Sequence, residues 1–126
     1  MQTEPIFGHK QSWTAAELIE KSRLQGGGYL QLPFNSGQSM SVVTVKSGPH
    51  TDPQETNLEK SHDADELYAI LRGQGRLRIW GKDHEVVPGT FICVPASAPH
   101  FFHSVGNENL IALAVLGPRN SVRSHA

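Results

Sequence analysis

Two stretches of this chain carry residues whose types and spacing suit chemistry. The first is His62-Asp63-Ala64-Asp65-Glu66-Leu67-Tyr68-Ala69-Ile70-Leu71-Arg72-Gly73. From Glu66 onward successive side chains alternate between two faces, Glu66, Tyr68 and Ile70 on one and Leu67, Ala69 and Leu71 on the other, as in a strand. Both faces are mostly apolar, so the strand is read as sandwiched. A carboxylate opening such a strand must be exposed at a rim, hydrogen-bonded or coordinated to a cation, because an unpaired buried charge is costly. His62, just upstream, supplies an imidazole for the last of these. In the second stretch, Pro88 to Ser104, a turn and a short apolar strand lead through a Pro-rich loop to another strand that opens on His100.

The elements that must position these residues follow from the rest of the chain. Thr14-Ala15-Ala16-Glu17 has the spacing of a capping box and predicts a short helix to about Arg23, ended by Gly26-Gly27-Gly28. Tyr29 to Phe34 reads as a strand that Pro33 confines to an edge. Gln38 to Lys46, rich in β-branched residues, reads as a firmer strand. A polar loop with two prolines, Gly48 to Lys60, leads to His62 and suits a lid or substrate wall. Gly73-Gln74-Gly75 predicts a tight turn into a half-exposed hairpin strand, Arg76 to Trp80. Gly81-Lys82-Asp83 predicts the next turn, and His84 to Val87 a strand ended by a Pro88-Gly89 type II turn. Phe91 to Val94, Phe101 to Val105 and Leu110 to Leu116 complete a set of short strands separated by Gly and Pro turns, the pattern of an all-β sandwich or barrel.

Together the two stretches resemble the cupin family. His62-x3-Glu66-x6-Gly73 is similar to the first cupin motif, Gly-x5-His-x-His-x3-4-Glu-x6-Gly. Gly89-x5-Pro95 followed by His100 is similar to the second, Gly-x5-Pro-x-Gly-x2-His-x3-Asn. Lys60 stands where the first motif has its first histidine, and Ser97 and Ser104 stand at the Gly and Asn positions of the second. The resemblance covers residues 40 to 117 and implies an all-β fold, a single cupin jelly-roll barrel with a short N-terminal helix. The expected organisation is one domain over 1–126: arm and helix 1–27, barrel about 38–117 and a polar tail 118–126.

Carried over residue by residue, the resemblance implies metal ligation by His62, Glu66 and His100. Two imidazoles and a carboxylate are the donor set of non-haem ferrous oxygenases, so Fe²⁺ leads, with Mn²⁺, Ni²⁺ or Zn²⁺ as alternatives. Gln54, Asp52 and His50 are candidates for a fourth ligand from the loop, Gln54 named first, against the reading that they are exposed loop residues. Lys60 and Tyr68 are the expected catalytic side chains, steadying negative charge on a small, anionic organic substrate. The leading activity is a dioxygenase-like oxidation. Isomerisation, cyclisation or decarboxylation at the same metal, and sugar binding without turnover, are the competing expectations. Of the remaining histidines, His103 is read as a surface or interface residue, and His9, His84 and His125 as solvated.

Composition bounds the partners. With 11 basic and 12 acidic residues the formal charge is −1, so no global field draws the chain to nucleic acid or an anionic membrane. Cys93 is the only cysteine, which rules out an intrachain disulfide and leads to the expectation of a cytoplasmic protein with that thiol packed as a small hydrophobe. No apolar run approaches a membrane span or a secretory signal. An edge strand needing cover leads to the expectation of a homodimer.

Overall fold

A computed structural model describes residues 12–33, 39–47 and 61–117. Helix α1 (Ala15–Leu24) is followed by β1 (Tyr29–Gln31), β2 (Ser39–Val45), β3 (Glu66–Arg72), β4 (Gln74–Ile79), β5 (Lys82–Val86), β6 (Phe91–Val94), β7 (His100–Val105) and β8 (Leu110–Leu116). The expected capping box starts α1. Thr14 Oγ1 accepts from the Glu17 amide at 3.1 Å, and the Thr14 amide donates to Glu17 Oε1 at 2.8 Å. Among the described residues no helix is long and apolar enough to cross a membrane. The arm before Ser12, the loop 48–60 and the tail after Gly117 lie outside the described residues.

The strands form two antiparallel sheets, one ordered β1-β2-β8-β3-β6 and the other β5-β4-β7. Their inner faces pack against each other: Val43, Tyr68, Ile70 and Ala112 of the first meet Leu77, Ile79, Val86 and Phe102 of the second. This is the jelly-roll arrangement that the resemblance implies, within the all-β class that the strand spacing predicts. β1 sits at a sheet edge, as expected, but ends at Gln31, before Pro33. On the outer face of the larger sheet, α1 lays Leu18 against Leu30, Leu32, Val42 and Ile111 to form a second apolar cluster.

Several local expectations are corrected. β3 is not sandwiched along its length. Its inner residues Glu66, Tyr68 and Ile70 are buried, but α1 reaches only as far as Leu71 and Leu113, leaving Leu67 36% exposed. Cys93 is exposed rather than packed, because inward Val94 and half-buried Ile92 fix the parity of β6 and turn Phe91 and Cys93 outward. β4 pairs with β5 and β7, not with β3. The chain changes sheet at a single residue, Gly73, whose φ is +80°. A Cβ there would also stand 2.4 Å from the Asn109 carbonyl oxygen. The β4–β5 turn falls on Trp80-Gly81, since Ile79 pairs with Lys82. Both turn residues have positive φ, which matches the twist of a two-residue hairpin. His84 is half-buried opposite Leu77 rather than solvated. The Pro88-Gly89 turn stands as expected, with the Thr90 amide donating to the Val87 carbonyl at 2.9 Å.

Candidate metal centre

The three proposed ligands reach one point from three parts of the fold. Glu66 is the first residue of β3 and His100 the first of β7, so they face each other from opposite sheets at one end of the barrel. Both are inward and buried, at 8% and 5% exposure. His62 belongs to the irregular segment ahead of β3. That segment is bonded to the β6–β7 loop: the Ser97 amide donates to the His62 carbonyl at 2.6 Å, and the Ala96 amide to Asp65 Oδ1 at 2.9 Å. The Gly117 amide donates to the Asp65 carbonyl at 2.9 Å and holds the segment to the end of β8.

One oxygen is the focus. Glu66 Oε1 lies 3.2 Å from His100 Nε2 and 3.6 Å from His62 Nε2, and it accepts the Tyr68 hydroxyl at 2.8 Å. His100 Nδ1 is 3.0 Å from the Ala98 carbonyl. A carbonyl only accepts, so Nδ1 carries the hydrogen and Nε2 turns toward the carboxylate, the orientation that a second partner imposes on a ligating histidine. A neutral His100 would set two acceptors against each other across 3.2 Å, a repulsion that an intervening cation would relieve. Donors about 2.1 Å from a common ion stand roughly 3.0–3.4 Å apart at octahedral or tetrahedral angles. The 3.2 Å pair falls in that range, the 3.6 Å pair lies slightly beyond it, and the three donor atoms all lie within 4.8 Å of one another, a cluster compatible with a divalent transition metal. Tyr68 is held beside them, its ring edge-on to Phe102 with centroids 4.6 Å apart. Burial, and then the neighbouring Glu66 charge and hydrogen bond, push the phenol well above its ordinary pKa. It serves as a firm hydrogen-bond donor to the carboxylate.

The ligands line a cavity of about 510 Å³, walled also by Val43, Phe102 and Ala114. Of the residues singled out from sequence, His62, Glu66, Tyr68 and His100 come together here. Lys60 and Gln54, like His50 and Asp52, lie outside the described residues. His103 points away from His100, as strand parity requires. Ser41 and Gln31 also face the cavity. Sequence reading passed over them because neither belongs to a motif, although the alternation of β2 about buried Val43 was the available signal.

These observations place the site in a known group of proteins. A family model described as "Cupin domain" matches residues 41–116. This chain belongs to the cupin family. An uncharacterized protein of Streptomyces coelicolor is 28% identical over 105 residues, 83% of this cupin and 93% of that protein. A conserved protein of unknown function from Streptococcus pyogenes has a solved structure similar to this one, with TM-score 0.65 and 18% identity over 96% of this chain and 98% of that one. A cupin protein from Bacteroides fragilis follows with TM-score 0.60 and 17% identity, covering 100% and 93%. At such identities the solved structures show the shared fold.

Both departures from the second cupin motif have a structural account. Ser97 adopts φ +71°, the left-handed conformation in which a glycine would meet no Cβ penalty. Ser104, 3% exposed, donates its hydroxyl to the Glu108 carbonyl at 3.1 Å and ties the β7–β8 turn. Ser97→Gly should therefore stabilise the protein by about 0.5–1 kcal/mol, the relieved left-handed strain less the added freedom of the unfolded chain. A urea midpoint unchanged or lowered by this substitution would contradict that account.

Proposed function

We propose that this cupin is a metal-dependent oxidoreductase that oxidises a small organic molecule with dioxygen, using ferrous iron held by His62, Glu66 and His100. The observation that carries the proposal is the convergence of two imidazole nitrogens on one buried carboxylate oxygen. Two neutral nitrogen donors and one anionic oxygen suit ferrous iron, and three donors do not by themselves complete its coordination. When bound, the metal supplies a redox-active Lewis acid. The chain's own residues do the rest. Tyr68 holds Glu66 in one orientation by donating its hydroxyl, and Ala98 does the same for His100 through Nδ1. Phe102 and Val43 keep the cavity wall apolar, which strengthens the electrostatic hold on a charged substrate. Lys60, two residues ahead of His62, is assigned to the substrate's anionic group. The proposal includes a cytoplasmic location, resting on the lone cysteine, and a homodimer joined along the free β1 edge.

Elemental analysis of anaerobically prepared protein should find iron bound, and small enols and phenols should stimulate dioxygen uptake. His100→Ala should lower the metal content to roughly a tenth or less while the circular dichroism spectrum stays that of the folded barrel, since the residue stands at the barrel's end. Full occupancy in that variant rejects the site. Lys60→Met should keep the metal but weaken an anionic ligand by about 1.5–3 kcal/mol, the range for hydrogen bonds to charged groups; unaltered ligand affinity removes Lys60 from the proposal. Light scattering at micromolar concentration should return twice the chain mass, and a monomer would reject the dimer.

A further inference from the structure

The inner face of the larger sheet carries a row that runs from Tyr68, beside the metal ligands, out to polar residues on β2 and β1. In register across it, Gln31 of β1 pairs with Ser41 of β2, Ser41 with Ala114 of β8, and Ala114 with Tyr68 of β3. Ala114 is the low point of this row, so open space runs over it from Tyr68 to Ser41, and all four residues line the cavity. At about 4.8 Å per strand, Ser41 stands roughly 10 Å from the Tyr68 backbone.

Ser41 is only 8% exposed, yet among the described residues its hydroxyl neither donates nor accepts a hydrogen bond. The hydroxyl is not sealed off but opens onto the cavity, so it is water or a ligand there, not the protein, that supplies its hydrogen-bond partner. Its neighbour is held ready: Gln31 Nε2 donates to the Met40 carbonyl at 3.0 Å, and Ser39 Oγ donates to Gln31 Oε1 at 3.4 Å. No lysine or arginine lines the cavity among the described residues. Hydroxyls and a primary amide bind hydroxyl, carbonyl or amide groups, whereas a carboxylate or phosphate calls for a cation.

We propose that Ser41, with Gln31 beside it, binds an uncharged hydroxyl or carbonyl group at the end of the substrate far from the metal. The substrate is then two-headed: oxygen donors for the metal at one end, and a neutral polar group about one six-membered ring away at the other. This inference rests on the metal site argued above and assigns Ser41 as a specificity-determining residue, since a site built to hydrogen-bond a hydroxyl discriminates against the analogue that lacks it.

The test uses full-length protein loaded with cobalt(II), whose visible absorption reports ligand binding without turnover, and three catechols bearing a methyl, a hydroxymethyl or a carboxylate group at the same ring position. Cobalt content is measured first, so failure of the metal site is seen separately; absence of uptake overturns that site and this inference with it. The hydroxymethyl compound should bind about threefold to tenfold tighter than the methyl compound, the range expected of one net hydrogen bond. Ser41→Ala should abolish that preference at unchanged cobalt content, and Ser41→Thr, which keeps the hydroxyl on a β-branched residue suited to a strand, should retain it. Three outcomes overturn the inference: equal affinities in the unaltered protein, the same preference in Ser41→Ala, or tightest binding of the carboxylate compound in Lys60→Met, where the cation assigned to an anionic group is gone.

Discussion

The structure depends on how one carboxylate is accommodated. Glu66 begins a strand whose next two inward residues, Tyr68 and Ile70, belong to the barrel core, so its side chain enters a region where an unpaired charge is expensive. The surroundings answer that cost with polar groups from three segments: the Tyr68 hydroxyl from the same strand, His100 from the opposite sheet, and His62 from the segment ahead of β3. The apolar walls beside them hold the sheets far enough apart for a cavity and close enough for the imidazoles to reach the same oxygen.

The two faces of the larger sheet serve different ends. Its outer face near β1, β2 and β8 is sealed by α1, and that apolar cluster uses none of the residues of the site. Its inner face carries the site. The division lets the helix steady the strands from behind while the cavity side varies in polarity along the β1–β2 rows. The outer surface of β6 and of β3 around Leu67 lies beyond the reach of α1, and Leu67, Phe91 and Cys93 meet solvent there.

Much of this was legible in the sequence, for reasons that differ by element. The capping box, the Pro88-Gly89 turn and the later strands are local signals, each carried by a few residues whose preferences the surroundings do not override. The pairing of His62 and Glu66 with His100 could be anticipated only by resemblance, because nothing local says that two distant segments face each other. What escaped reading depends on nonlocal packing. Whether Cys93 is covered depends on how far α1 extends across a sheet, and whether Gly73 turns a hairpin or hands the chain to the other sheet depends on the Asn109 backbone beside it. Ser41 escaped because a lone hydroxyl in a strand carries no signal until the opposite wall is known. Ser97 was seen as a departure from a motif, yet only its φ reveals that the backbone kept the conformation of the residue it replaced.

The amide bonds from Ala96 and Ser97 to the segment 62–65 carry a consequence for how chemistry and folding are related in this chain. Two regions distant in the chain are fastened by main-chain and carboxylate groups that are not themselves ligands, so the donor atoms are brought together by the fold and do not wait for an ion to gather them. An ion entering such a preassembled site spends little of its binding energy on ordering the chain. A barrel so built would lose, exchange or replace such an ion without unravelling, and a side chain of the cluster could be altered without the fold as the penalty. Chemistry in this cupin is separable from architecture, which leaves the scaffold free to take up new reactions one side chain at a time.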